Sequence, residues 1–449
     1  MLACTVICYI IFLMKKSFIF TFVMAIVGAI IGAGFVSGRE IISFFGGYGY
    51  WSLVLLVPVA LLFFAVFYIF AKLGKQLKPK SISNLTFAMF GKAGVIVDFG
   101  FILSTFITLS SMLAGSDSIG MVMFGASYNF CYIGIVTAII VTVIVFYGLK
   151  YIYKITDVIL PVMLVLILII ALTFLFVTPK EAISQDKFNQ NTISAVLYLF
   201  LYVFMNTFSN VFIIAKTSQY MNKKQLGIAS GISAGILALF VGLILVTIFH
   251  GGNEIFASDM PMLAVANGTS GVFGAIYAIV LWLAIFTTIC IAAYTIVQWL
   301  NNYIKNRFLC AVITLTLAFV FSRFGFATIV DIFYPIEGIF GGIFIIYAIV
   351  FYFKNKKRFI FKKYSLIKGE NTGESSELVM TDQKIFYEDK NGEKKQNKNK
   401  KIKENIAKSN GNHLNKNDNL KSIAVLKKKS GVEIVKHYKN SKAKIIKLM

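Results

Sequence analysis

The stretch GAIIGAGFVSGREIISFFGGYG, Gly28 to Gly49, decides the fold. It continues an apolar run that starts near residue 17, yet Gly28, Gly32, Gly34 and Gly38 punctuate it and the charged pair Arg39-Glu40 follows. A charge at the bilayer centre costs about 2.5 to 3.5 kcal/mol even on the lenient scale, so charges inside a span pair or face water. Glycines at this density suit close helix packing. The bare Gly32-Ala33-Gly34 followed by ionisable residues also suits a helix broken near the midplane, whose freed backbone groups line a polar cavity.

Working outward, the chain of 449 residues is 58% hydrophobic and 14% charged, with a mean hydropathy of +0.77. Its apolar residues come in runs of about 20, the length needed to cross some 30 Å of hydrocarbon as helix. A β-barrel would show short alternating segments instead. The net charge of +24 is no nucleic-acid signal, because roughly 26 of the Lys and Arg against 10 acids follow Phe353. Cys4, Cys8, Cys131, Cys290 and Cys310 are odd in number and scattered, which indicates neither disulfides nor a metal site. His250, His413 and His437 fall outside the spans.

Apolar runs place ten helices near residues 17–46, 49–73, 94–119, 128–148, 153–177, 192–219, 225–249, 270–299, 307–323 and 326–353. With the N-terminus inside, Lys72, Lys75, Lys78, Lys80, Lys92, Lys150, Lys154, Lys216, Lys223, Lys224, Lys305 and Arg307 all fall in the cytoplasm. The far side receives Lys180, Lys187 and Arg323, with Arg39 near the end of the first span. This alternation predicts a multi-pass protein of the cell inner (cytoplasmic) membrane with both termini cytoplasmic.

Three segments follow. Residues 1–14 read as an N-terminal extension, for which a mis-assigned start before Met14-Lys15-Lys16 is the favoured explanation over an interfacial segment. Residues 15–353 form the transmembrane domain. Residues 354–449 are rich in Lys, Asn, Glu and Ser, too poor in apolar area to offset ordering entropy, so a basic, mostly disordered cytoplasmic tail is expected. Its first cluster, Lys354 to Lys363, suits anionic lipid or a simple stop-transfer role.

Five spans after the first interruption, Met205-Asn206-Thr207-Phe208-Ser209-Asn210 puts four polar side chains in an apolar run. Interrupted segments in corresponding positions of two halves point to the binding site of a transporter.

The Gly28–Gly49 stretch resembles the opening of the YkvI-type family of uncharacterised bacterial membrane proteins, over roughly residues 15–353. That family is similar to the amino acid, polyamine and organocation superfamily with its leucine-transporter-type fold. The resemblance implies an all-α integral membrane protein of about ten transmembrane helices in a five-plus-five inverted repeat, with helices 1 and 6 broken. It also implies a sodium ion between helix 1 and helix 8, where Ala284, Thr287 and Thr288 match the spacing of the family's site. Positions i, i+3 and i+4 share a helix face. With the carbonyls of Gly28 and Ile31 they would give five neutral oxygens. Paired threonines also occur in spans simply to back-bond their own helix. In the resembled fold an arginine here and an acid on helix 10 close the outer gate, which names Arg39 and Asp331; a purely structural salt bridge is the competing reading.

Glu40, and Glu337 just after Pro335, are the remaining deep acids and the candidate carriers if the coupling ion is a proton. Asp98 and Asp157 read as solvated carboxylates at helix starts. The solute site is expected between helices 1 and 6 at Gly32, Ala33, Gly34, Phe35, Asn206, Thr207 and Ser209. Helix 3 adds Ser104 and Thr108, with Thr105 and Ser111 nearby. A carboxylate would suit the free amides near Gly32 to Phe35. No nucleotide-binding or catalytic motif occurs, so the chain is not read as an enzyme. The expectation is a cation-coupled secondary transporter of a small solute such as an amino acid. A non-transporting receptor or sensor on the same fold is the alternative.

Overall fold

The computed structural model describes residues 18–124, 132–147, 152–184, 188, 191–371, 386–388, 394–396, 420–428, 431–438 and 441–448. The extension expected at 1–14, Cys131, and the Lys150 and Lys187 placements lie outside them. The chain divides into two units, Met1–Lys354 and Asn355–Met449.

The first unit is helical. The first span is in three pieces, α1 (Phe18–Ile30), α2 (Ala33–Ser37) and α3 (Arg39–Phe45), followed by a 3₁₀ segment, Gly46–Leu53. Then come α4 (Leu56–Leu77), α5 (Ile82–Phe90), α6 (Gly94–Phe124), α7 (Tyr132–Tyr147), α8 (Ile152–Val177), α9 (Thr192–Thr217) and α10 (Lys223–His250). Short helices α11 (Gly252–Ala257) and α12 (Pro261–Thr269) precede α13 (Gly271–Ile304), α14 (Arg307–Ser322) and α15 (Phe326–Asn371). Among the described residues six helical stretches are long and apolar enough to cross a membrane, and Phe18–Ile30, Ile133–Phe146, Pro161–Val177 and Arg307–Ser322 are shorter apolar helices. Large apolar side chains such as Leu61, Phe176, Leu239 and Ile343 point outward. An outer surface this apolar belongs in lipid, so the chain is a multi-pass membrane protein.

The core gathers around the first span. α1 packs on α9 and α10, α4 on the same two helices, and α6 on α13. Phe22, Phe35, Phe44 and Phe45 are fully buried, and Phe44 and Phe45 stack on Tyr202 of α9 with ring centroids 5.3 and 5.0 Å apart.

One expectation is overturned: helix 6 is not broken. α9 is continuous through Asn206–Asn210. That segment holds no Gly or Pro, and three of its four polar side chains find partners without unwinding the helix. Asn206 Nδ2 donates to the Tyr202 carbonyl at 3.1 Å and Asn210 Nδ2 to that of Asn206 at 3.0 Å, while Ser209 Oγ, 3.1 Å from the Met205 carbonyl, shares its one proton with Glu337. Back-bonding of this kind makes polar residues compatible with a membrane helix.

In the second unit β1 (Phe386–Glu388) pairs with β2 (Lys394–Gln396). There β3 (Leu420–Lys428), β4 (Gly431–Tyr438) and β5 (Ser441–Leu448) form an antiparallel meander. Where the composition predicts little structure, the described strands are local hairpins, with Val425 opposite Ile434 and Ile434 opposite Ile446.

Candidate functional site

The break begins where α1 ends. The Gly32 amide turns back to the Ile30 carbonyl at 2.8 Å instead of reaching Gly28, so the Gly28 carbonyl loses its helical partner. The next bond in helical register is Val36 N to Gly32 O, which leaves the Ile31 carbonyl and the amides of Ala33, Gly34 and Phe35 outside the ladder. A Cβ built on Gly32 would meet nothing within 4 Å. Open space therefore adjoins the break at Gly32. A second break follows at Gly38, whose φ of +83° is left-handed and lets α3 restart at a new angle.

α3 carries the charged pair. Arg39 forms an ion pair with Asp331 of α15. Pro335, one turn on in α15, lacks the amide that would bond the Asp331 carbonyl. Glu40 points the other way, into the protein, and is 5% exposed. Asn206 of α9 donates to its Oε1 at 3.1 Å, and its Oε2 lies 3.1 Å from where a Gly34 side chain would begin.

The second deep acid is the centre of a similar set. Glu337 is 4% exposed and accepts from Ser104 of α6 and Ser209 of α9 on one oxygen. Tyr334, one turn before it, bonds Ser111 at 2.9 Å and also approaches Gly34. Asn206 and Ser209 are three apart on α9, and so share a face. Glu40 and Glu337 are thus held from one face of α9. Among the described residues neither has a Lys or Arg partner. Ser104, Asn206 and Ser209, expected to line the solute site, are thus brought together with the two candidate proton carriers.

The remaining expected residues divide. Ala33, Gly34 and Phe35 are buried, and Thr207 is buried with no hydrogen-bond partner on its hydroxyl. Thr108 is half-buried and its carbonyl accepts from Ser111 at 3.0 Å. On α13, Thr287 and Thr288 both donate to the Ala284 carbonyl, at 3.0 and 2.8 Å. A hydroxyl that donates keeps its lone pairs. α13 packs on α2, and Tyr277 donates to the Val36 carbonyl at 2.6 Å. Among the described residues no hydrogen bond joins Thr287 or Thr288 to Gly28 or Ile31.

Sequence reading missed Asp117. This residue of α6 is 8% exposed, accepts from the Gly134 amide of α7 at 2.7 Å and pairs with Arg323 at 2.7 Å. It sits between Ser116 and Ser118 near the outer end of a span, where a lone acid in a polar triplet passes for a helix end. Tyr334 was equally legible, three residues before Glu337, since that spacing puts both on one face.

A helical membrane protein with a broken first span and a buried polar centre is the class these features define. The fold is that of MhsT, whose structure in complex with L-phenylalanine matches with a TM-score of 0.54 and 16% identity, covering 72% of this chain and 87% of that one. The chain is a relative of the uncharacterised membrane protein YkvI of Bacillus subtilis, 24% identical over 323 residues that cover 70% of this chain and 90% of YkvI. It is similarly related to the uncharacterised protein YyaD of the same organism, 26% identical over 319 residues, 70% of this chain and 91% of YyaD. No protein-family model matches the chain.

Proposed function

We propose that the chain is a cation-coupled secondary transporter of a small solute, working by alternating access about a site at the break in the first span. The observation that carries this reading is the break itself. At the break the carbonyls of Gly28, Ala29 and Ile31 and the amides of Ala33, Gly34 and Phe35 leave the helical ladder, and open space adjoins Gly32. At membrane depth such backbone is tolerated where it is buried in protein or lines a water-filled cavity, and the open space at Gly32 favours the cavity. In this reading a sodium ion is held by the carbonyls of Gly28, Ile31 and Ala284 with the hydroxyls of Thr287 and Thr288. The solute's carboxylate takes the free amides of Ala33 to Phe35. An amino acid or related organic solute fits, and MhsT, of the same fold, holds L-phenylalanine. The ten helices would form a five-plus-five inverted repeat in the cytoplasmic membrane with both termini inside, and Arg39 with Asp331 would close the outer gate.

One observation favours a proton instead: Glu40 and Glu337 are buried without a basic partner among the described residues. Uptake of radiolabelled amino acids into proteoliposomes, with a sodium gradient, a proton gradient or neither, tests the reading. Gradient-dependent accumulation is expected. Binding of a solute with no uptake under any gradient would replace the transporter by a receptor.

A further inference from the structure

Two connections cross from α3 to α15, at two depths. At the outer rim Arg39 is paired with Asp331. Deeper, Glu40 and Glu337 are held from one face of α9, by Asn206 and Ser209 three residues apart. Arg39 and Glu40 are neighbours in sequence, and Asp331 and Glu337 are six residues, about 9 Å, apart on one helix. The rim contact attracts whenever both partners are charged. The deep contact is between two carboxyls, so its sign depends on protons. Two negative charges in a water-poor interior repel by far more than a rim pair attracts.

A second observation lies on the same helix. Tyr202 of α9 is fully buried, its hydroxyl has no hydrogen-bond partner among the described residues, and its carbonyl accepts from the same Asn206 Nδ2 that holds Glu40. A buried hydroxyl left unpaired costs about 1 to 3 kcal/mol unless something completes the set. The surroundings hold no competing charge. Arg39 turns to Asp331, Asp117 pairs with Arg323 and Lys75 donates to the Met221 carbonyl. Asp98 accepts from Thr86. α1 carries no ionisable residue, and Tyr334 is the other titratable group facing the pair.

The geometry points to Glu40 and Glu337 as one proton-binding site whose occupancy sets the outer gate: protonated, it lets α3 and α15 close; deprotonated, it drives them apart and admits water from outside. The chemistry is a proton exchange with water, with no bond to any other atom made or broken. This inference rests on the alternating-access reading and holds whichever ion drives transport.

The test needs no solute. A cysteine at Gly32, where a Cβ meets open space, is labelled from outside by a membrane-impermeant maleimide in proteoliposomes of the full chain with its native cysteines replaced by serine. Each rate is divided by that of the same thiol in an E40Q/E337Q protein, which removes the thiol's own pH dependence. From about pH 5 to about pH 9 the ratio is expected to rise about tenfold or more, the change one unit of proton affinity produces. E337Q alone should flatten it. A ratio flat in the parent, or a step that survives E337Q, overturns the proposal. If Gly32→Cys does not insert, Thr108→Cys on α6 gives the same readout. A flat ratio in vesicles that still accumulate solute removes the acid pair alone, whereas absent uptake with the step intact removes the transporter reading.

Discussion

Arg39 of α3 is ion-paired with Asp331 of α15, joining the C-terminal part of the broken first span to the last apolar helix across 292 residues of chain. The Arg39 side chain is 14% exposed and that of Asp331 37%, so the contact is half in water. Its net strength is then on the order of 1 kcal/mol, enough to bias a gate and too little to hold the fold.

Arg39→Ala or Asp331→Asn should therefore leave insertion and thermal stability nearly unchanged while shifting the gate towards open by about fivefold. Maleimide labelling of a cysteine at Gly32 from outside reads this shift. The swap R39D/D331R should return part of it. A variant that lowers the melting temperature sharply without changing labelling would make the pair a structural bridge instead.

How much of this was legible depends on what kind of signal each element leaves. The break was legible because Gly32-Ala33-Gly34 and Gly38 are backbone signals, and glycine acts on the backbone directly. Arg39 and Asp331 were legible because a charge in a span demands a partner and both fall at one depth. The break expected in α9 failed for the converse reason: Asn206, Thr207, Ser209 and Asn210 are side-chain signals, and all but Thr207 reach carbonyls one turn back without opening the helix. That Ser104 and Ser209 would meet on Glu337 was beyond reach. Three helices must be packed before those residues share a place.

The packing that brings them together is a glycine seam. Cβ atoms added at Gly338 and Gly341 of α15 would lie 2.6 Å from the carbonyl oxygens of Leu201 and Phe204 of α9, three residues apart on each helix. No side chain fits there. Gly341→Ala should cost roughly 1 to 3 kcal/mol of stability through overpacking, and Gly341→Val more. Gly235→Ala on α10, where a Cβ meets nothing within 4 Å, should be neutral or slightly stabilising. Thermal unfolding in detergent compares them, and equal melting of Gly341→Ala and Gly235→Ala would deny the seam.

Asp117 offers a test of a different ion pair. It is nearly buried and held by the Gly134 amide as well as by Arg323, whose side chain is 36% exposed. Removing the cation strands a buried charge, which in a fully buried pair costs about 3 to 5 kcal/mol and here less, because Arg323 is partly in water. Removing the charge itself strands nothing. Arg323→Ala should therefore destabilise more than Asp117→Asn, and the double variant should recover towards the single Asp117→Asn. Losses that simply add would mean the two residues act independently.

The proposed sodium site can be tested on α13. Thr287 and Thr288 both donate to the Ala284 carbonyl, which leaves the lone pairs of their hydroxyls available to a ligand. Replacing both by valine keeps shape, removes two of five proposed ligands and leaves backbone carbonyls alone to hold a cation. If sodium drives transport, the T287V/T288V protein should need much more sodium for half-maximal uptake, a shift exceeding the ~0.6 kcal/mol typical of one membrane side-chain hydrogen bond. Asp98→Asn keeps the oxygen that accepts from Thr86 at 2.7 Å and should leave that requirement unchanged. A proton-driven protein reverses the pattern: the threonine pair becomes indifferent, and Glu40→Gln or Glu337→Gln abolishes gradient-driven uptake while exchange without a gradient persists. Uptake indifferent to sodium, to the threonines and to both glutamates would exclude both proposed coupling sites.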